Sequence, residues 1–216
     1  MKQEDARSSE TPSAPSVARG VFSDALPTAR RYAALLAGPG AVRGLIGPRE
    51  VPRLWERHLL NCALVTDLLG PGASVCDIGS GAGLPGLVMA IRRPDLRVTL
   101  VEPLLRRTSF LDEAVADLAL TNVEVVRSRA EALDGFRTFD VVTSRAVAPL
   151  DRLAGWSLPL VRTGGLFLAM KGSSVQAEVD QAQRAIRAAG GTLTGIEVLG
   201  EDLLDPPVRV VRVVKG

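Results

Sequence analysis

The run Asp77-Ile78-Gly79-Ser80-Gly81-Ala82-Gly83 sets a carboxylate two residues ahead of the first of three alternating glycines. Glycines at this spacing let the backbone turn left-handed and approach a ligand, and a helix that opens behind them offers unpaired N–H groups to an anion. Two ligands satisfy that chemistry. Asp77-x-Gly79-x-Gly81-x-Gly83 suits S-adenosylmethionine, whose methionine carboxylate would be the anion. Gly81-x-Gly83-x-x-Gly86 also matches the dinucleotide fingerprint, where the anion is a pyrophosphate. In either case Glu102, closing the next apolar run, stands where an acid binds ribose hydroxyls.

Three further features separate the two. Asp77 precedes the turn, where a carboxylate suits the amino end of a methionine moiety and is poorly placed beside pyrophosphate. Ala130-Glu131 follows the third expected strand, where class I methyltransferases place an acidic turn near adenine. Phe139-Asp140-Val141-Val142 reads as the fourth strand, and Gly164-Gly165 opens the fifth as in that fold. Dehydrogenase chemistry is missing as well. It needs a positioned acid for the alcohol proton, and the single tyrosine, Tyr32, and the single histidine, His58, both lie ahead of the glycine turn. S-adenosyl-L-methionine is therefore the expected cofactor. Asp77, Gly79 and Gly81 are its first binding residues, and Glu102 is expected on its ribose.

The methyl acceptor is narrowed by exclusion. Methylation of a pyrimidine C5 through an adduct needs an exposed nucleophilic cysteine. Cys76 falls in an expected buried strand and Cys62 on a helix. Methylation of exocyclic amines goes with an Asn or Asp-Pro-Pro-aromatic motif after the fourth strand, where this chain has Ser144-Arg145-Ala146-Val147-Ala148-Pro149. A ring nitrogen with a free lone pair, such as guanine N7, loses no proton before attack, so in-line positioning carries the catalysis. Arg145 is expected to meet the methionine carboxylate or orient the base, the alternative being a surface salt bridge to Asp151. Lys171, ending the fifth expected strand on the same edge, is expected at the acceptor guanine or a phosphate. Arg57 and His58 are candidate RNA contacts, His58 reading equally well as a satisfied helix histidine. Arg53, Arg106 and Arg107 are further candidates for phosphate contacts.

These residues need a frame that brings them to one edge. From residue 73 onward, apolar runs suited to parallel strands fall at 74–78, 97–102, 123–127, 139–144 and 166–171, with two later strands at 192–199 and 208–214. Helical stretches at 84–93, 104–118 and 173–189 lie between them, the first with Pro85 in its opening turn and Pro94 at its end. The order predicts a doubly wound α/β sheet, a Rossmann-like class I methyltransferase core with helices on both faces, spanning 73–216. Residues 19–72 read as a helical extension, punctuated by Gly38-Pro39-Gly40 and Gly47-Pro48, with 53–69 as one amphipathic helix. Residues 1–18, rich in Ser, Pro and charge, read as a disordered tail.

Charge sharpens the division. Residues 1–72 hold 9 basic and 7 acidic groups, and within 19–58 the count is 7 against 3, whereas the remainder is balanced. A basic face on the extension suits an anionic partner such as RNA. No apolar run reaches the roughly 18 residues of a membrane span, and no signal peptide is visible. The two cysteines lack metal-ligand spacing and read as small buried hydrophobes of a reducing cytosol. A cytoplasmic monomer without metal or membrane partner is expected.

Beyond this reading, the stretch from Leu54 to Lys215 resembles the bacterial 16S ribosomal RNA guanine-N7 methyltransferases, the glucose-inhibited division protein B family. The resemblance rests on Arg57-His58-Leu59, the glycine turn extended through Leu84-Pro85-Gly86, Ser128-Arg129-Ala130-Glu131, Ser144-Arg145-Ala146-Val147-Ala148 and Met170-Lys171-Gly172. It implies methylation of one guanine in the decoding-region loop of 16S rRNA, free or in the small ribosomal subunit particle. It also implies cofactor contacts from Gly79, Leu84, Ala130, Glu131 and Arg145. Asn61-Cys62 departs from the Asp-Ser of many members. The alternatives are an S-adenosylmethionine-dependent methyltransferase of another RNA, a protein or a small molecule, and an NAD-type nucleotide-binding module.

Overall fold

The computed structural model describes residues 11–145 and 147–216. Its centre is one seven-stranded sheet: β1 (Ser74–Ile78), β2 (Arg97–Val101), β3 (Val123–Val126), β4 (Phe139–Arg145), β5 (Val161–Lys171), β6 (Gly191–Leu199) and β7 (Val208–Lys215). The spatial order is β3-β2-β1-β4-β5-β7-β6. β1 to β5 run parallel, while β7 is inserted antiparallel between β5 and β6. β1, β2 and β4 lie in the middle, buried along almost their whole length and covered on both faces. Half-buried β3 and β6 take the edges, where one side of the ladder meets solvent.

Strand alternation sorts the side chains to two cores. Val75, Leu100, Val141 and Leu168 face α4 (Gly86–Arg92), α5 (Leu105–Asp117) and the N-terminal helices. Cys76, Ile78, Val142 and Phe167 face α6 (Leu150–Ser157) and α7 (Val175–Ala188). This parity decides where each polar residue at the strand ends points.

The extension contributes α1 (Val17–Phe22) and α2 (Leu26–Leu35), and α2 passes directly into a π-helical turn at Leu36–Gly40. Gly38-Pro39-Gly40, expected as a break, is thus wound into the helix, because a wider turn accommodates the proline that an α-helix rejects. The expected helix at 53–69 is helical but not uniform. It runs from a 3₁₀ turn Val51–Arg53 through π-helix Leu54–Leu60 and the single α turn α3 (Asn61–Leu64) to a 3₁₀ turn Val65–Leu68. Nor does it keep one apolar face: Leu54, Trp55, His58, Leu59, Leu60, Cys62 and Val65 are all buried, since the segment lies between the other extension helices and the sheet.

Of the expected tail, residues 1–10 lie outside the described residues. From residue 11 the expectation is corrected: the Trp55 indole donates to the Pro12 carbonyl at 2.9 Å, and Ala18 is fully buried in α1. α6 was not anticipated, and β5 begins at Val161 instead of 166. Both cysteines are free and buried. Among the described residues no helix is long and apolar enough to cross a membrane, and no cluster of metal-ligating side chains occurs.

Candidate functional site

The glycine turn joins β1 to α4 at the C-terminal edge of the sheet. Gly79, Gly81 and Gly83 have φ of 68°, 59° and 96°, left-handed values that a side chain would strain. The turn is sewn down from three sides. Gly79 N–H donates to the Val101 carbonyl at 2.8 Å, the Ser80 hydroxyl to the Asp77 carbonyl at 2.8 Å, and the Tyr32 hydroxyl to the Ala82 carbonyl at 2.7 Å. The last bond comes from α2, so the extension itself holds the turn.

Asp77 points toward the extension and is wholly buried. Its Oδ2 accepts the Gly86 N–H at 2.9 Å, while Oδ1 has no hydrogen-bond partner among the described residues. Burial pushes this carboxyl up to about 7, against the opposing pull of the Gly86 N–H. Glu102, 1% exposed, takes the other side of the turn. Its Oε2 accepts from Gly81 N–H at 3.1 Å and from Arg107 Nη1 at 3.3 Å, and its Oε1 from Leu104 N–H at 3.1 Å. Its charge partner is Arg107, one of the arginines expected from sequence at a phosphate. Leu84 is buried behind the turn, and Ala130 begins a 3₁₀ turn (Ala130–Leu133) in which Glu131 is exposed.

These residues fit S-adenosylmethionine. An orphaned buried carboxylate oxygen at Asp77 suits an ammonium, Glu102 suits a ribose diol, and the space a Cβ would occupy at Gly81 is open save for the Gly79 carbonyl at 3.8 Å.

Arg145 ends β4. Residue 77 pairs with residue 143 in the β1–β4 register, so Arg145, two further on, shares the face of Asp77. Its Nη1 donates to the Arg57 carbonyl at 3.2 Å and its Nη2 lies 2.8 Å from His58 Nδ1. The other ring nitrogen of His58 lies 2.8 Å from Glu50 Oε2, and Glu50 Oε1 takes Arg57 at 3.3 Å. Asp151 is not the partner. Burial, reinforced by the Arg145 charge, lowers the His58 pKa to about 4 despite Glu50. Sequence reasoning missed Glu50 altogether, because nothing local marks an acid whose role is set by a histidine eight residues on.

Lys171 differs from Arg145 in direction. Arg145 pairs with Met170, so Lys171 alternates to the opposite face. There its ammonium donates to the Ala148 carbonyl and pairs with Glu178 of α7 at 2.7 Å. It holds the loop after β4 and is already engaged.

Beside Arg145 opens a cleft of about 860 Å³, between the extension, the ends of β4 and β5 and the β6–β7 loop. Arg53, Arg57, Asn61, Asp205 and Arg209 line it. The extension's arginines do not form one face: Arg31 and Arg43 pair with Asp117 and Glu113 of α5, away from this wall.

The family model described as GidB, rRNA small subunit methyltransferase G, matches residues 25–204. The chain belongs to this family. The Ribosomal RNA small subunit methyltransferase G of Nocardioides sp. (strain ATCC BAA-499 / JS614) is 62% identical over 208 residues, covering 96% of this chain and 83% of the relative. That of Thermobifida fusca is 56% identical over 196 residues, covering 91% and 83%. As a member of the rRNA small subunit methyltransferase G family, the chain is an S-adenosylmethionine-dependent rRNA methyltransferase. Solved structures agree on the fold. A SAM-dependent methyltransferase from Aquifex aeolicus aligns with TM-score 0.58 at 15% identity, over 82% of this chain and 98% of that one. The Thermus thermophilus 16S rRNA N2 G1207 methyltransferase, in complex with AdoMet and guanosine, gives 0.55 at 17%, over 74% and 43%.

Proposed function

We propose that this chain methylates N7 of a guanine in the decoding-region loop of 16S rRNA, acting in the cytoplasm as a monomer on the RNA or on the small ribosomal subunit. One observation carries the choice of N7: Arg145, His58 and Lys171, the candidate proton-handling side chains around the C-terminal ends of β4 and β5, are all committed. Arg145 is bound to His58 and Arg57, His58 has both ring nitrogens engaged, and Lys171 is held by Ala148 and Glu178. None of these three is left to remove a proton, and N7 has none to lose.

S-adenosylmethionine, when bound, supplies an electrophilic methyl group on a sulfonium. Asp77 Oδ1 would hold its ammonium, the backbone of Gly79 and Gly81 its carboxylate, Glu102 its ribose, and Leu84, Ala130 and Glu131 would border it. Arg145 stands between that pocket and the cleft, where it orients the base. Lys171, which also lines the cleft, fixes the β4 loop through Ala148, and Arg53, Arg57 and Arg209 offer cations to phosphates around the cleft. Catalysis is then alignment and exclusion of water, with no proton transfer in the step.

The test is nucleoside analysis of small-subunit rRNA with and without the gene. Loss of one 7-methylguanosine in the decoding-region loop, restored by the wild-type chain, is the expected result. Unchanged 7-methylguanosine would refute the acceptor assignment.

A further inference from the structure

The extension and the catalytic core are bolted together through one side chain. Arg145 donates only, so His58 Nδ1, 2.8 Å away, must accept, and the imidazole is neutral with its proton on Nε2. That N–H then donates to Glu50 Oε2 at 2.8 Å. Glu50 therefore selects the tautomer, and the tautomer supplies the lone pair that holds the guanidinium. A histidine protonated on both nitrogens would face Arg145 with a donor and a like charge. The ring is 7% exposed and lies on π-helix Leu54–Leu60, in which the preceding carbonyl, that of Arg57, takes the second bond from Arg145. The same segment presents Arg53 and Arg57 to the cleft.

We propose that His58 is a positioning residue for methyl transfer: oriented by Glu50, it fixes the Arg145 guanidinium between the cofactor pocket and the cleft, and thereby ties the RNA-facing extension to the β4 loop. This rests on the functional reading above for the reaction, but the Glu50–His58–Arg145 chain is testable without it. Without the Nδ1 acceptor, Arg145 keeps only the Arg57 carbonyl, and its guanidinium loses the fixed direction that aligns the base with the methyl group. The effect falls on turnover more than on binding of either substrate.

Asparagine places its amide oxygen near the position of Nδ1, whereas glutamine places its amide near that of Nε2. His58→Asn can still accept from Arg145; His58→Gln can reach Glu50 but not Arg145. The expected result, with undermethylated small subunits and S-adenosylmethionine, is a kcat at least tenfold lower for His58→Gln with KM values within threefold. His58→Asn is expected within threefold of wild type. Equal impairment of the two variants, or none in either, would overturn the proposal. Because His58 is the single histidine, its ¹⁵N spectrum in the wild-type protein gives an independent reading. At pH 7 the Nε2–H tautomer is expected, with an Nδ1 resonance that moves in Arg145→Ala. An Nδ1–H tautomer, or an Nδ1 shift indifferent to Arg145, refutes the proposal even if neither variant at 58 folds. It does so whether or not the rRNA assignment holds.

Discussion

Asp77 and Gly86 are joined across the glycine turn: the carboxylate at the end of β1 accepts the first N–H of α4 at 2.9 Å, leaving its second oxygen buried and without a partner among the described residues. The turn is thus closed by the same group that we propose for the cofactor's ammonium, so its protonation state bears on folding and, in that reading, on binding.

The sign of the pH dependence follows. The folded Asp77 carboxyl is raised from 3.8 to about 7 by burial, so the ligand-free fold binds this proton more readily than the unfolded chain. The stability it contributes is complete below pH 4 and is lost as pH rises toward 7. His58, lowered from 6.5 to about 4, works oppositely, its contribution being lost as pH falls through that window. Comparison with Asp77→Asn cancels the histidine. Ligand-free Asp77→Asn should gain Tm relative to wild type between pH 5 and pH 8, while its affinity for S-adenosylmethionine falls at least tenfold. A difference in Tm independent of pH would contradict the assignment.

The glycines of the turn are not equivalent. Gly81→Ala meets no close neighbour, so only its left-handed φ is strained, by about 1–2 kcal/mol. Its methyl would fill the open side of the turn, and calorimetry should show loss of cofactor binding in a folded protein. Gly83→Ala places a Cβ 2.4 Å from Leu87 Cδ1 and 2.9 Å from the Tyr32 hydroxyl, and should lower Tm far more than Gly81→Ala.

Lys171→Met removes the donor to Ala148 and strands Glu178. Turnover should fall about tenfold as the β4 loop loosens. The salt dependence of RNA binding should stay as in wild type, since an ammonium already paired releases no counterion on binding. A shallower slope would return Lys171 to the phosphate contacts expected from sequence.

Arg53 has no ion pair among the described residues and lines the cleft, and Arg209 does so from β7. Alanine at either should weaken RNA binding and lower the slope of log K against log salt by about 1, leaving S-adenosylmethionine affinity unchanged. Arg31→Ala, committed to Asp117 on α5, serves as the control with no effect on that slope.

Sequence by itself determined the sheet and the cofactor edge. Five apolar runs separated by helix-length stretches leave a parallel α/β core as the economical solution, and glycines after β1 are a local requirement of backbone angle, readable without the fold. That Asp77, Glu102 and Arg145 gather at one edge was legible, because strand ends in such a sheet share it. Which face each side chain took was decided only by tertiary structure. A single step of register separates Arg145, turned to His58, from Lys171, turned to Glu178, and bulges and strand lengths that set register are not local properties. The roles of Tyr32 and Glu50 were likewise invisible. Each acts on a residue from another element or another turn, Tyr32 on Ala82 fifty positions away. Burial of a polar group specifies that it must find a partner; packing alone specifies which one.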